Sequence, residues 1–153
     1  MTGPNYAGNI IVILANLPDF LRIPVLKKRM MEFFSMTESE KKEIINNALE
    51  AGPTIPFPNF AKLFKTWLEI LTTLSEEQRN ELFAGYINEI SVSPQKLIVF
   101  NLDGILEIFL TLDEEKKEIL SQTIKKIINQ LDTERKRKLM IIIPDNAKKY
   151  LKF

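Results

Sequence analysis

Carboxylates and amines are the main groups left to do chemistry in this chain of 153 residues, which contains no histidine and no cysteine. That absence excludes a Ser-His-Asp or Cys-His apparatus, an imidazole ligand, a thiolate nucleophile, disulfides and zinc fingers. It also excludes a histidine switch near neutral pH. The acids with the most suggestive spacing are Asp103 and Glu107, four apart on one expected helix beside Gly104, together with Glu69, which lies 38 residues before Glu107. Paired carboxylates can flank a sugar or hold a divalent cation. These three, however, flank the apolar face of their helices, where acids are ordinarily solvated. A di-iron bundle needs Glu-x-x-His pairs, which this composition cannot supply. The five glycines, at 3, 8, 52, 85 and 104, are too scattered for a dinucleotide or P-loop fingerprint. The residues therefore point away from an enzyme, and they imply no catalytic residue, no metal and no cofactor.

The amines are unevenly placed. Lys and Arg number 21 against 20 Asp and Glu, for a formal net charge of +1. Residues 1–29 hold four basic groups and one acidic group, net +3; residues 30–115 hold six and fifteen, net −9; residues 116–153 hold eleven and four, net +7. A balanced total thus conceals an acidic middle between basic ends. Arg135, Lys136, Arg137 and Lys138 span one helical turn, with Lys125, Lys126, Lys148 and Lys149 nearby in sequence. This cluster is a candidate patch for nucleic acid or another anionic surface, against the plainer reading of a solvated helix face. Tyr150 and Phe153 are the aromatics close to it, which offers little for base stacking. Trp67, the single tryptophan, flanks the apolar ladder of Phe64, Leu68 and Leu71. It is either a cover for the core edge or an interface anchor, a role in which Trp is enriched.

The elements that must position these residues show a period. Pro18, Pro56 and Pro94 are spaced by 38 residues. Eighteen positions after each come Met36, Leu74 and Leu112, followed at once by Thr37, Ser75 and Asp113, and then by Glu38, Glu76 and Glu114. Ser, Thr or Asp ahead of acidic residues marks a helix start, because the cap oxygen takes orphan N–H groups and the acids face the positive dipole end. Thr37…Glu40 and Ser75…Gln78 also fit the capping box. A further cap stands at Leu131-Asp132-Thr133-Glu134. Upstream of the three periodic caps run the apolar ladders Ile23, Leu26, Met30, Phe33; Ala61, Phe64, Leu68, Leu71; and Val99, Leu102, Leu106, Phe109, at helical rather than strand spacing. Helices are expected near 4–16, 19–35, 38–51, 58–73, 76–91, 94–111, 114–130, 133–143 and 145–152. Gly52 to Pro58 forms a proline-stiffened linker.

The expected fold is all-α and one domain over 1–153: a short α-solenoid or helical bundle of about three and a half 38-residue hairpins. The units are 18–55, 56–93, 94–131 and a partial 132–153, after an extra helix at 4–16. At about 150 residues a domain buries roughly 68–70% of its unfolded surface, so it needs no staples. The run from Leu131 through Pro144 to Leu151 resembles the helical superhelices of flagellar motor switch proteins and magnesium-transporter cytosolic domains. That resemblance lies in caps and leucines and implies helix stacking. Ile10–Leu17, the strongest apolar stretch near the start, has eight residues, whereas a membrane span needs about 20. No basic residue occurs in 1–5, so a signal peptide is not expected either. A cytoplasmic protein is the expectation, and its sixteen Lys, fifteen Glu and twenty Ile suit a thermophile or an AT-rich genome. The expected function is a non-enzymatic interaction module that binds a protein partner or forms a homo-oligomer. Nucleic-acid or anionic-surface binding by the basic C-terminal region is the alternative, and a carboxylate enzyme or metal site stands last.

Overall fold

Each helix start answers the same need, which is to satisfy N–H groups that have no partner one turn back. In the computed structural model, which describes residues 6–151, Thr37 Oγ1 accepts from the Glu40 N–H at 3.2 Å while the Glu40 carboxylate accepts from the Thr37 N–H at 3.1 Å. Ser75 and Gln78 form the same reciprocal box at 3.1 and 3.3 Å. Asp132 accepts from the Arg135 N–H at 2.8 Å. Asp113 also holds a cap position, but its side chain makes no cap bond and lies 4.0 Å from Lys116 instead.

The resulting helices are α1 (Tyr6–Ala15), α2 (Asp19–Phe33), α3 (Glu38–Ala51), α4 (Phe57–Thr73), α5 (Glu76–Val92), α6 (Gln95–Ile98), α7 (Leu102–Leu110), α8 (Glu114–Gln130), α9 (Thr133–Ile142) and α10 (Asp145–Leu151). No strand occurs among the described residues, so the protein is all-α. Residues 4, 5 and 152 of the two expected terminal helices lie outside the described range. The linker after α3 tightens into a 3-10 turn at Gly52–Thr54. Pro58 falls in the first turn of α4, where a missing N–H costs no intrahelical bond.

The backbone gathers into two compact units, Met1–Ile70 and Leu71–Phe153. In the first, α1 packs on α3 and also meets α2, around Leu14, Leu26, Met30, Phe33, Ile45 and Leu49. In the second, α5 packs on α8 and α9, and α10 lies on α8. Its centre includes Leu71 and Leu120, both 0% exposed, and each such side chain contributes about 1.5–3 kcal/mol by leaving water.

Two of the expected core ladders change. The helix expected over 94–111 is broken at Val99–Asn101, because the Asn101 side chain accepts from the Gly104 N–H at 3.0 Å and caps a fresh start. The restart resets the helical phase. Gly104 and Ile108 turn inward, Leu102, Leu106 and Phe109 are half-buried, and Val99 is 64% exposed. On α2 the inward row is Arg22, Leu26, Met30 and Phe33, while Ile23 is 48% exposed.

Why an arginine takes a core position is settled by its donors. Arg22 Nη1 donates to the Leu17 carbonyl just past α1, Nη2 to the Asp19 carboxylate, and Nε to Thr66 Oγ1 at 3.2 Å. Arg79 does the same at the end of α4: Nε donates to the Leu71 carbonyl at 3.2 Å and Nη2 to the Leu74 carbonyl at 3.1 Å. Both stand four residues past their N-caps, Pro18 and Ser75. Lys41, Lys117 and Lys136 hold the equivalent places after Thr37, Asp113 and Asp132. Lys41 Nζ lies 5.6 Å from the Phe33 ring that ends α2, and Lys136 donates to Asn129 in the last turn of α8 at 2.9 Å. Lys117 reaches Tyr150, 5.9 Å away, whose ring packs edge-on against Phe109 of α7. A helix end is rich in unpaired carbonyls and partial negative charge, so a cation one turn into the next helix can reach back to it.

Replacing Arg79 by Met orphans the Leu74 carbonyl and leaves that of Leu71 with the Leu74 N–H alone; the expected loss is about 1–3 kcal/mol, a fall of roughly 3–9 °C in Tm, and Arg79→Lys recovers part of it. An unchanged melting curve for Arg79→Met would refute the role. The capping box gives a pH test. The Thr37 backbone bond, followed by the Thr37 hydroxyl, holds the Glu40 carboxyl below its ordinary value of 4.5. Its stabilising contribution is therefore present above pH 4.5 and is lost as pH falls through the lowered value. Urea midpoints between about pH 5 and pH 3 should fall less steeply in Glu40→Gln, whose amide accepts at any pH, as Gln78 does.

Candidate functional site

The basic cluster is real but internally compensated. Arg135 lies 3.5 Å from Asp132, Lys138 3.8 Å from Glu134 and Lys148 3.7 Å from Asp145, each within one turn of its own helix. On α8, Lys126 faces Glu76 of α5 at 3.7 Å, and Lys125 is half-buried. Arg137 and Lys149 are exposed. Exposed pairs of this kind contribute about 0–1 kcal/mol to stability, but each carboxylate also reduces the local field that a polyanion would meet.

The carboxylates are dispersed in role. Asp103 occupies the first turn of α7 and Glu107 the next, both exposed, while Glu69 is half-buried on α4. Among the described residues no three acidic side chains gather in a way that could hold a metal ion. Tyr86 adds no acid or base near neutrality, since burial pushes its phenol up to about 12. The Glu114 hydrogen bond, 2.6 Å long, raises the Lys117 ammonium above its usual 10.5, against the opposing effect of desolvation.

Trp67 ends an aromatic row on α4. Phe57, Phe60, Phe64 and Trp67 follow one another at ring spacings of 6.1, 5.6 and 5.9 Å, with the last two pairs stacked. All four rings are half-buried, so Trp67 keeps part of its surface in water. A cleft of about 280 Å³ in the second unit is lined by Glu76, Arg79, Ile119, Gln122, Thr123 and Lys126. Its two cations are already engaged, Lys126 by Glu76 and Arg79 by the Leu71 and Leu74 carbonyls.

Two apolar surfaces are more open than any of these. At the tip formed by the end of α5 and by α6, Val92, Ile98 and Val99 are 53%, 56% and 64% exposed. On α2, Phe20 is 74% exposed, with Leu21, Val25 and Met31 also in water. Ordinary surfaces scatter single apolar residues, whereas a cluster marks a contact site. Sequence reasoning missed both, because each depends on which helix face the fold leaves uncovered. It missed the cations one turn past the caps as well, although Lys41, Arg79 and Lys117 stand 38 residues apart; Arg79 bonds the preceding helix end, whereas Lys117 turns to Glu114 and Tyr150.

No protein-family model matches the chain, and neither a curated protein nor a solved structure matches it significantly. Among the described residues no helix is long and apolar enough to cross a membrane.

If Glu134 and Asp145 mask their lysines, the Glu134→Gln/Asp145→Asn variant should elute from a heparin column at higher salt than the parent. Coincident elution would show that the pairs do not govern the field.

Proposed function

We propose that this chain is a non-enzymatic helical-repeat interaction module of the cytoplasm, binding a protein partner, its own copies included. The observation that carries the reading is the apolar tip of Val92, Ile98 and Val99. Val99 leaves the apolar ladder where Asn101 caps a fresh helix start. Departures of this kind from local consistency are expected at functional positions. Each of the three side chains contributes about 1 kcal/mol if the rest of its surface leaves water. The half-open aromatic row ending at Trp67 supplies the type of anchor found at hot spots, and the acidic middle and basic ends supply charge that sets register and speeds encounter.

Binding of nucleic acid or another polyanion by Arg135 to Lys138 is the second reading, supported by exposed Arg137 and Lys149 and weakened by the acids paired within the cluster. A carboxylate-based activity would have to rest on Asp103 and Glu107, both open to water on one short helix.

Light scattering over a wide concentration range at low and high salt tests the leading reading. The expected result is concentration-dependent association that weakens with salt and is reduced by Ile98→Asp/Val99→Asp, with the helical circular dichroism unchanged. A strict monomer under every condition sinks the self-association version.

A further inference from the structure

The outward face of α2 is a second, independent surface. The buried row Arg22, Leu26, Met30 and Phe33 fixes which side of α2 points into its unit. At 100° per residue, the opposite side carries Phe20, Pro24, Lys27 and Met31 in one row, and Leu21, Val25 and Lys28 in the row beside it. All seven residues are exposed. The first row contains no acid, and the second runs on to Glu32, four residues past Lys28. Asp19 and Glu32, at the two ends of the helix, are each engaged on their own helix, Asp19 by Arg22 and Glu32 by Arg29 at 3.4 Å. Lys27 and Lys28 form no ion pair with any described residue. The face is therefore apolar over its first two turns and cationic on the third, with Met31 beyond.

We propose that this face docks onto the surface of an anionic lipid bilayer. Charge complementarity chooses the occupant. A bilayer interface offers an apolar layer for Phe20, Leu21 and Val25 and, directly above it, the negative headgroups that Lys27 and Lys28 reach by extending their side chains. An interfacial helix of this type combines a Phe- and Leu-bearing apolar side with lysines at headgroup level, and its binding rises with anionic lipid content. A second copy of the chain pairing through the same face would bring lysine rows toward each other, which costs energy. The contact is peripheral, because no described helix is long and apolar enough to span.

Co-sedimentation with vesicles of phosphatidylcholine containing about 30 mol% phosphatidylserine, beside vesicles of phosphatidylcholine alone, tests the proposal at low salt and at about 0.5 M salt. Binding is expected to the anionic vesicles only and to fall with salt. Phe20→Glu and Lys27→Glu/Lys28→Glu should each weaken it by about tenfold or more. These positions are exposed, so circular dichroism and Tm stay at parental values and a folding defect is not confused with lost binding. Three results would overturn the proposal: no binding to anionic vesicles at low salt; binding that survives both substitutions but is lost in Arg135→Glu/Arg137→Glu; or a Phe20→Glu effect on oligomer size in place of vesicle binding, which gives the face to a second copy. The tip at Val92, Ile98 and Val99 is untouched by these variants, so the two readings fail separately.

Discussion

Helix ends carry carbonyls with no donor in their own helix, and an all-α chain with short connections must satisfy them repeatedly. Here the answer is a side chain from the following helix. Arg79 closes the end of α4 and Arg22 takes the carbonyl just past α1, while Lys136 reaches the last turn of α8 through the Asn129 side chain. The position is the same each time, one turn past the N-cap. Because cap and cation lie on one turn of helix, placing the cap also places the cation, and the cation in turn holds the preceding helix at the hairpin. The turn between two helices is thereby specified by two polar contacts pointing in opposite directions along the chain.

The arrangement also divides charge between inside and outside. Arg22, Arg79 and Lys117 are nearly inaccessible, while the acids beside them in the first turns, such as Glu76, Glu77, Glu114 and Glu115, stay in water. The surface of those turns is more acidic than a count of residues suggests. Residues 133–149 behave in the opposite manner: Arg135, Arg137 and Lys149 are exposed, and Asp132, Glu134 and Asp145 hold Arg135, Lys138 and Lys148. Net charge by segment therefore describes only the long-range field, and close to the surface the local pairing of each cation decides it.

Helix positions were largely readable because caps act over three or four residues: Thr37 with Glu40 and Ser75 with Gln78 are complete in themselves. The Asn101 cap is equally local, but it sits inside an unbroken apolar ladder from Val99 to Phe109, whose helical spacing favours one continuous helix. Ile23 and Arg22 show a different limit. By residue type Ile belongs inside, yet Arg22 has acceptors at Leu17 and Thr66, and Thr66 lies 44 residues away. No local pattern carries that contact. For the candidate surfaces, the basic residues could be listed from the sequence, and their i, i+3 and i, i+4 acids were visible there too. The exposure of Val92, Val99 and Phe20 was not, since apolar residues at helical spacing look alike whether or not another helix covers them.

Pro24 adds one property to α2. Proline has no N–H, so the carbonyl of Phe20, four residues earlier, has no helical donor. That oxygen lies in the outward row, where Lys27 is the side chain that carries a donor. Whatever settles on this face meets a lone acceptor near its middle, and an occupant with an amine or hydroxyl can use it where a purely hydrocarbon one leaves it to water. One missing hydrogen thus turns a greasy strip into a surface with a marked point, able to favour one chemistry and one orientation of approach over others.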